Sequence, residues 1–324
     1  LASLDSDQFL KDFEQRKQDH IRISMDKGSQ SLSSQFSSLR LLHNPLPELD
    51  FKEVSLKTQV FGHELASPLF ISSMTLGHDH SGVLNQVLGQ CAEKMGWMMG
   101  VGSQRRQLED PAAGEECVRL RENFPKLVMF GNIGMSQLIS STPGQIESLV
   151  KSLKAQFLVV HLNPLQEVIQ PEGTPNFRGG IEALKKLCMN LSVPVVLKET
   201  GSGFSINSLK KVKSLALAAV DLSGRGGTHW GRVEGLRQET NSDGYQLAKT
   251  FCDWGETTVE SAFAARQAGL PFPFWASGGV RSGLDAAKLL VLGAEMVGLA
   301  QPLLLAAEKG ADRKDDLWVK NPTF

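Results

Sequence analysis

Lys198 closes an otherwise apolar run of Val193, Val195, Val196 and Leu197, and Glu199 follows it. A lysine at such a strand end is partly desolvated, so it needs an electron-rich partner or must shed its proton. The carbonyl edge of a flavin ring, a phosphate or a carboxylate would serve; snorkelling of the ammonium to water is the plainer alternative. A second signal is Trp275-Ala276-Ser277-Gly278-Gly279-Val280-Arg281-Ser282-Gly283. A strand that breaks at Gly-Gly and restarts as a helix leaves several N–H groups pointing one way. With Arg281 beside them they suit a phosphate, although an ordinary glycine-rich turn reads the same. Gly224-Arg225-Gly226-Gly227-Thr228 offers more N–H groups and a hydroxyl. Glu167 follows Gln166 just after another apolar run, Phe157 to Leu162. With Arg16, Lys17 and Arg105 near, such a carboxylate could hold Mg²⁺ against substrate phosphates, or simply favour a helix N-terminus. Asn132, Ser103 and the Met74-Thr75 backbone could bond the edge of a flat heterocycle. His161 is a lone strand histidine, a type more often hydrogen-bonded structure than catalyst.

These residues need elements to hold them. Apolar runs of strand length alternate with helical stretches, which predicts βα units and a parallel sheet covered on both faces. The expected strands are 69–73, 97–101, 127–131, 157–162, 193–198, 218–222, 272–276 and 296–299. Helical patterns fall at 82–95, 145–153, 180–188, 205–214, 257–269 and 284–292. Almost every strand runs out into a polar or glycine-rich cluster. Barrels of the (β/α)₈ type keep their chemistry at the C-terminal ends of their strands, and their phosphate sites after strands 7 and 8. The expected fold is therefore α/β, a single (β/α)₈ TIM barrel over 61–324 with an N-terminal helical arm over 1–60. Phe13 and Ile21 help set a helical period over 7–25, and Arg16 and His20 share one face of that helix. The serine- and glutamine-rich run 28–39 reads as a flexible loop, and 225–258 as a loop carrying extra structure.

The chain has 324 residues, 41% of them hydrophobic, with 34 Lys+Arg against 35 Asp+Glu. That is ample for a large core and gives no field for nucleic acid or a membrane. Its 4 Cys are scattered with no metal-like spacing, which fits buried thiols in a reducing compartment. A cytoplasmic protein is expected. No Ser/His/Asp or Cys/His set for acyl transfer is evident.

Several runs occur together in an order that resembles the type 2 isopentenyl-diphosphate Δ-isomerases, FMN-dependent enzymes of isoprenoid biosynthesis. They are Arg16-Lys17-x-x-His20, Ser73-Met74-Thr75, Gly102-Ser103-Gln104-Arg105, Gly131-Asn132-Ile133-Gly134 and His161-x-Asn163-Pro164-Leu165-Gln166-Glu167. Lys198-Glu199-x-Gly201-x-Gly203, Gly226-Gly227-Thr228 and Ser277-Gly278-Gly279-Val280-Arg281 complete the set. The resemblance runs from about Phe13 to Pro302; the Gly-Gly-Val-Arg loop is shared with many FMN barrels. There are two departures. Leu76 stands where the family usually has the first Gly of a pair, and only a short polar tail, 309–324, stands where further helices are usual.

The resemblance implies an isomerase that converts isopentenyl diphosphate to dimethylallyl diphosphate by a 1,3-allylic proton shift, using reduced FMN and Mg²⁺ with NADPH as reductant. It implies that FMN is held by Ser73, Met74, Thr75, Ser103, Asn132, Lys198, Thr228, Gly278, Gly279, Val280, Arg281, Ala300 and Gln301. Substrate would be held by Arg16, Lys17, His20, Ser103, Gln104, Arg105 and Gln166, with the metal on Glu167. Gln166, Glu234 and His161 are the catalytic candidates, and a homo-tetramer or homo-octamer is the implied assembly. Two other readings remain open at this stage. One is an α-hydroxy-acid oxidase, which would carry a histidine base after strand 6 where this chain has Ser223-Gly224-Arg225-Gly226-Gly227. The other is a non-catalytic flavin- or phosphate-binding barrel.

Overall fold

The fold is that of a computed structural model, which describes residues 6–313 apart from 32 and 79. A short hairpin, β1 (Thr58–Val60) and β2 (His63–Leu65), precedes eight parallel strands. These are β3 (Leu69–Ile71), β4 (Met98–Gly100), β5 (Met129–Gly134), β6 (Phe157–Leu162), β7 (Val195–Glu199), β8 (Ala219–Asp221), β9 (Phe274–Trp275) and β10 (Val297–Leu299). Neighbours pair in chain order and β10 pairs with β3. The remaining gap is closed by a parallel bridge between Ala276 and Val297 and by Gly298 N–H donating to Ala276 O at 2.9 Å. The expected barrel is present, and each of its eight strands overlaps an expected run.

Strand alternation explains how the barrel places its site. Inside, Phe70, Met98, Phe130, Phe157, Val196, Ala219, Trp275 and Met296 form one apolar layer. Phe130 and Phe157 stack at 4.6 Å, and Phe157 meets Trp275 edge-on at 5.5 Å. Two residues further along the same strands the inward positions become Ser72, Asn132, Lys198, Asp221 and Ser277, all buried and polar. The barrel is thus greasy at its base and polar at its mouth. The hairpin plugs the base: Val60 and Leu65 join the apolar layer, and the Phe61 ring lies 5.2 Å from Phe157. The hairpin straddles position 60, so the arm runs into the plug without a break.

Outward-facing residues such as Ile71, Met99, Ile133, Leu197 and Val220 pack under the helices. Six expected helices are found as Ser81–Met95, Pro143–Leu153, Gly180–Asn190, Ile206–Val212, Thr258–Ala268 and Gly283–Val291. Capping boxes at Thr142/Gln145 and Thr257/Glu260 explain where two of them start. The 225–258 segment does carry extra structure, helices Trp230–Leu236 and Asp243–Thr250.

Two expectations are corrected. The chain past the last strand continues as a helix, Gln301–Arg313, where a polar tail from residue 309 was expected; residues 314–324 lie outside the described ones. The run 28–39 is not loose. Ser31 N–H donates to Gly227 O at 2.8 Å, His229 N–H to Ser29 O at 2.9 Å, and Lys288 Nζ to Phe36 O at 2.6 Å. Phe36 is buried in the outer core. The run lacks any hydrophobic period because it is fastened through its backbone to a neighbouring loop, and backbone pairing leaves no pattern in side chains.

Candidate active site

Two adjoining cavities open at the polar end of the barrel. The first, with about 1000 Å³ of empty space, is walled by the loops after β7 to β10 and by β3. Gly227, Thr228, Gly278, Gly279, Val280 and Arg281 form one side of it, and Ser73, Met74, Thr75, Ala300 and Gln301 the other. The second, of about 750 Å³, is lined by Arg16, Ser103, Arg105, Asn132, His161, Gln166 and Glu167. Lys17, His20, Ser73, Met74, Lys198, Thr200 and Trp230 belong to both and form the passage between them.

Backbone builds the first cavity. Gly278 and Gly279 have φ of +100° and +76°, and a Cβ on Gly279 would lie 2.5 Å from Gly226 O. Only glycine lets these two loops touch. Ser72 and Ser73 hydroxyls are buried without a partner, and both face this cavity. Buried polar atoms left alone are costly, so they mark where a polar ligand edge fits. Lys198 Nζ donates to Glu199 O and to Ser223 Oγ at 3.0 Å, with Asp221 Oδ2 4.0 Å away. Asp221 is held in turn by Ser277 Oγ at 2.9 Å. Burial pushes the Glu199 carboxyl up to about 7, although it accepts N–H bonds from Thr200, Ser202 and Gly203.

Side chains build the second. The N-terminal helix lays the Arg16 guanidinium 4.8 Å from the Phe13 ring and Lys17 Nζ 5.6 Å from it. Burial, then repulsion from Arg105, lowers Arg16, and burial, then repulsion from Arg16 and Arg105, brings Lys17 down to about 7. Among the described residues no carboxylate lies within ion-pair distance of Arg16, Lys17 or Arg105. Three basic side chains gathered in one cavity, with no carboxylate among the described residues in direct contact, describe a site for a polyanion.

Beside them Gln166 Nε2 donates to Glu234 Oε1 at 2.8 Å. His20 Nε2 lies 2.8 Å from the same oxygen and Arg237 Nη1 2.6 Å from Oε2. Burial alone would raise Glu234, but His20, then Arg237 and Gln166, outweigh it and hold the carboxyl at about 2. Glu167 is fixed by Thr174 N–H at 2.7 Å and Asn163 Nδ2 at 3.1 Å, with its side chain on the cavity wall. His161 Nδ1 lies 2.9 Å from Asn132 Oδ1. Burial, then Lys198 and Lys17, depress it to about 3, so the ring is neutral at physiological pH.

Known proteins give this geometry a family. The chain is 47% identical to an isopentenyl-diphosphate delta-isomerase of Bdellovibrio bacteriovorus, over 94% of this chain and 89% of that one. It is 46% identical to one from Legionella pneumophila strain Lens, over 93% and 88%, and 40% identical to one from Nostoc, over 93% and 87%. The chain belongs to the isopentenyl-diphosphate delta-isomerase family. No family model matches it. Among solved structures an (S)-mandelate dehydrogenase superposes with a TM-score of 0.62 at 16% identity, covering 96% of this chain and 92% of that one. At that identity the likeness speaks for the barrel alone.

Within this isomerase-family chain, all but two of the sequence-derived site residues line one of the two cavities. Gln104 does not. Its side chain turns behind β5, donating to Leu149 O at 3.0 Å and accepting from Asn132 N–H at 3.1 Å, so it props the strand and lines neither cavity. Glu234 is the other: it stands behind Gln166 and His20 and orients them, fully buried and already ionised. Trp230 was missed although it lines both cavities and meets His20 edge-on at 5.1 Å. Its place two residues after Gly-Gly-Thr was the available signal. Thr200 and Gln170 were missed as well, and nothing in their local sequence marks them.

Proposed function

We propose that the protein interconverts isopentenyl diphosphate and dimethylallyl diphosphate by a 1,3-allylic proton shift, with reduced FMN and Mg²⁺ and with NADPH as the priming reductant. The observation that carries the reading is the joint one. A glycine-walled cavity with orphaned hydroxyls shares a wall with a cavity of clustered basic side chains. The first suits a flat heterocycle with a phosphate tail, and the second suits a diphosphate.

The residues present fit both groups. Ser73, Met74, Thr75, Ser103, Asn132 and Lys198 would meet the ring, with Ala300 and Gln301 at its side. Thr228, Gly278, Gly279, Val280 and Arg281 would take the phosphate. Reduced FMN, when bound, supplies an electron-rich ring that relays a proton and shelters developing positive charge. Such help suits a mouth whose catalytic candidates are poor proton donors. Glu234 is ionised and His161 is neutral. Lys198 favours negative charge on whatever lies against it. Arg16, Lys17 and Arg105 grip the diphosphate, and that remote binding fixes the alkene in one place. Gln166, oriented by Glu234, lines the second cavity and would lie beside the alkene. Glu167 offers a single carboxylate, and among the described residues no cluster of three His, Cys, Asp or Glu could hold a metal. One carboxylate plus phosphate oxygens and waters is how Mg²⁺ commonly binds. The oxidase reading loses its base: the nearest histidine past the glycine loop, His229, is fully buried against Trp254 O and lines neither cavity. By the family resemblance we place the protein in the cytoplasm as a homo-tetramer or homo-octamer. Among the described residues no helix is long and apolar enough to cross a membrane.

The test is the absorption spectrum of the purified protein, followed by isopentenyl diphosphate turnover under anaerobic reducing conditions with Mg²⁺. The expected result is FMN uptake and turnover that vanishes when the flavin is oxidised. Protein that takes up no FMN, or that turns over equally with oxidised flavin, overturns the reading.

A further inference from the structure

Gln30 touches both side chains that would take the flavin phosphate. Its Oε1 accepts from Arg281 Nη2 at 2.8 Å, and its Nε2 lies 3.2 Å from Thr228 Oγ1. The same Nε2 donates to Ser24 O at 3.0 Å and lies 2.9 Å from Ser29 Oγ, so the amide is fixed from behind by its own segment. Backbone pairing sets its position. Gln30 and Thr228 form an antiparallel bridge, and Ser31 N–H donates to Gly227 O. Ser34 sits so close to Gly226 that a Cβ there would lie 2.7 Å from the Ser34 Cβ. The segment after the N-terminal helix therefore lies as a strap over the glycine loop.

We propose that Gln30 is a positioning residue for the phosphate end of the flavin, aiming the Arg281 guanidinium and the Thr228 hydroxyl into the cradle. This rests on the flavin reading above. The choice of an amide has a physical reason. Arg281 needs an acceptor to hold its planar fork, but a carboxylate in that place would cancel the charge that a phosphate needs. A glutamine oxygen orients the guanidinium and leaves its charge whole. Asp285 does not take this place: it accepts the Arg281 backbone N–H at 3.0 Å and favours the charged guanidinium from a distance, and among the described residues no ion pair joins its carboxylate to the guanidinium. The strap also continues from the helix that carries Arg16 and Lys17, so the phosphate cradle and the cationic cavity are fastened by one stretch of chain.

The experiment compares FMN with riboflavin, which lacks the phosphate, by fluorescence titration of the flavin-free protein. Gln30→Ala is expected to weaken FMN about tenfold, the worth of one hydrogen bond to a charged group, and to leave riboflavin unchanged. Gln30→Glu is expected to weaken FMN more than Gln30→Ala does, again sparing riboflavin. Riboflavin binding reports the ring cavity, so it separates a lost phosphate contact from a damaged fold. Unchanged FMN affinity in Gln30→Ala overturns the assignment, as does an equal loss for both flavins. Unaltered protein that takes up neither flavin overturns the flavin reading itself and this assignment with it.

Discussion

Two cavities share one barrel mouth, but the first is walled by backbone and the second by side chains. Around the glycine loops much of the wall is backbone and short hydroxyls, fixed by positive φ values at Gly278 and Gly279 and by loop-to-loop contact, with Arg281 and Lys198 as its charged side chains. Around Arg16, Lys17 and Arg105 the groups are long cationic side chains brought from the N-terminal helix Ser6–Met25 and from the start of the helix Arg105–Glu109 after β4. A backbone wall is stiff, and its shape fails all at once when a Cβ is added. A side-chain wall is assembled piece by piece, and it fails in proportion to what is removed. The difference teaches that one mouth can hold a resident group and a passing substrate by two kinds of construction. It also makes the two cavities separable by mutation.

Gly279→Ala is the hardest blow to that separation. An alanine there must adopt a left-handed φ and press its Cβ within 2.5 Å of Gly226 O. Strain and overlap of that kind cost about 2–4 kcal/mol; the loop must shift to relieve them, and drawing it back around the phosphate costs FMN binding up to that much, up to about a 1000-fold loss of affinity. Binding of inorganic pyrophosphate, followed by calorimetry, is expected to stay within about twofold, since no cation moves. If pyrophosphate binding falls along with FMN, the two cavities are one unit and the contrast is void. Arg105→Ala is the milder, opposite blow. It removes one charged donor set, so pyrophosphate affinity is expected to drop about 10- to 100-fold while FMN affinity holds. Loss of FMN in that variant would show that Arg105 also shapes the ring cavity.

The same contrast explains what could be read from the chain beforehand. Strand order, the barrel and the glycine cradle were legible because apolar runs and Gly-Gly turns are local signals with a local cause. Arg16-Lys17 could be recognised by resemblance, but its geometry could not, since the helix Ser6–Met25 is remote from β7 in the sequence and has to be docked before it reaches Lys198. Gln104 was misplaced for a similar reason. It adjoins Ser103 in the sequence, yet it sits in the turn that opens the helix Arg105–Glu109, where the chain changes direction, and Gln104 turns to Leu149 O behind β5. Gln30 and the strap were unreadable because backbone pairing with Gly227 and Thr228 needs no side-chain pattern.

The smallest expected effect sharpens the comparison through pH. Burial, then Arg16 and Arg105, hold the Lys17 ammonium down at about 7, against 10.5 when unfolded. The unfolded chain therefore binds more protons than the folded one between those values, and this group's cost to folding, full below about 7, is relieved as pH rises towards 10.5. A polyanion entering the cavity reverses the balance by favouring the cation again. At pH 8 the free protein holds Lys17 mostly neutral, so pyrophosphate binding is expected to draw a proton onto it. Calorimetry in two buffers of different ionisation heat counts that proton, and Lys17→Met supplies the baseline for the pyrophosphate's own titration. The unaltered protein is expected to take up close to one proton more than the variant, with its affinity falling up to about tenfold between pH 7 and 8. Equal uptake would mean that Lys17 is already a full cation before any ligand arrives. The cationic cavity would then carry no stored repulsion for the substrate to relieve.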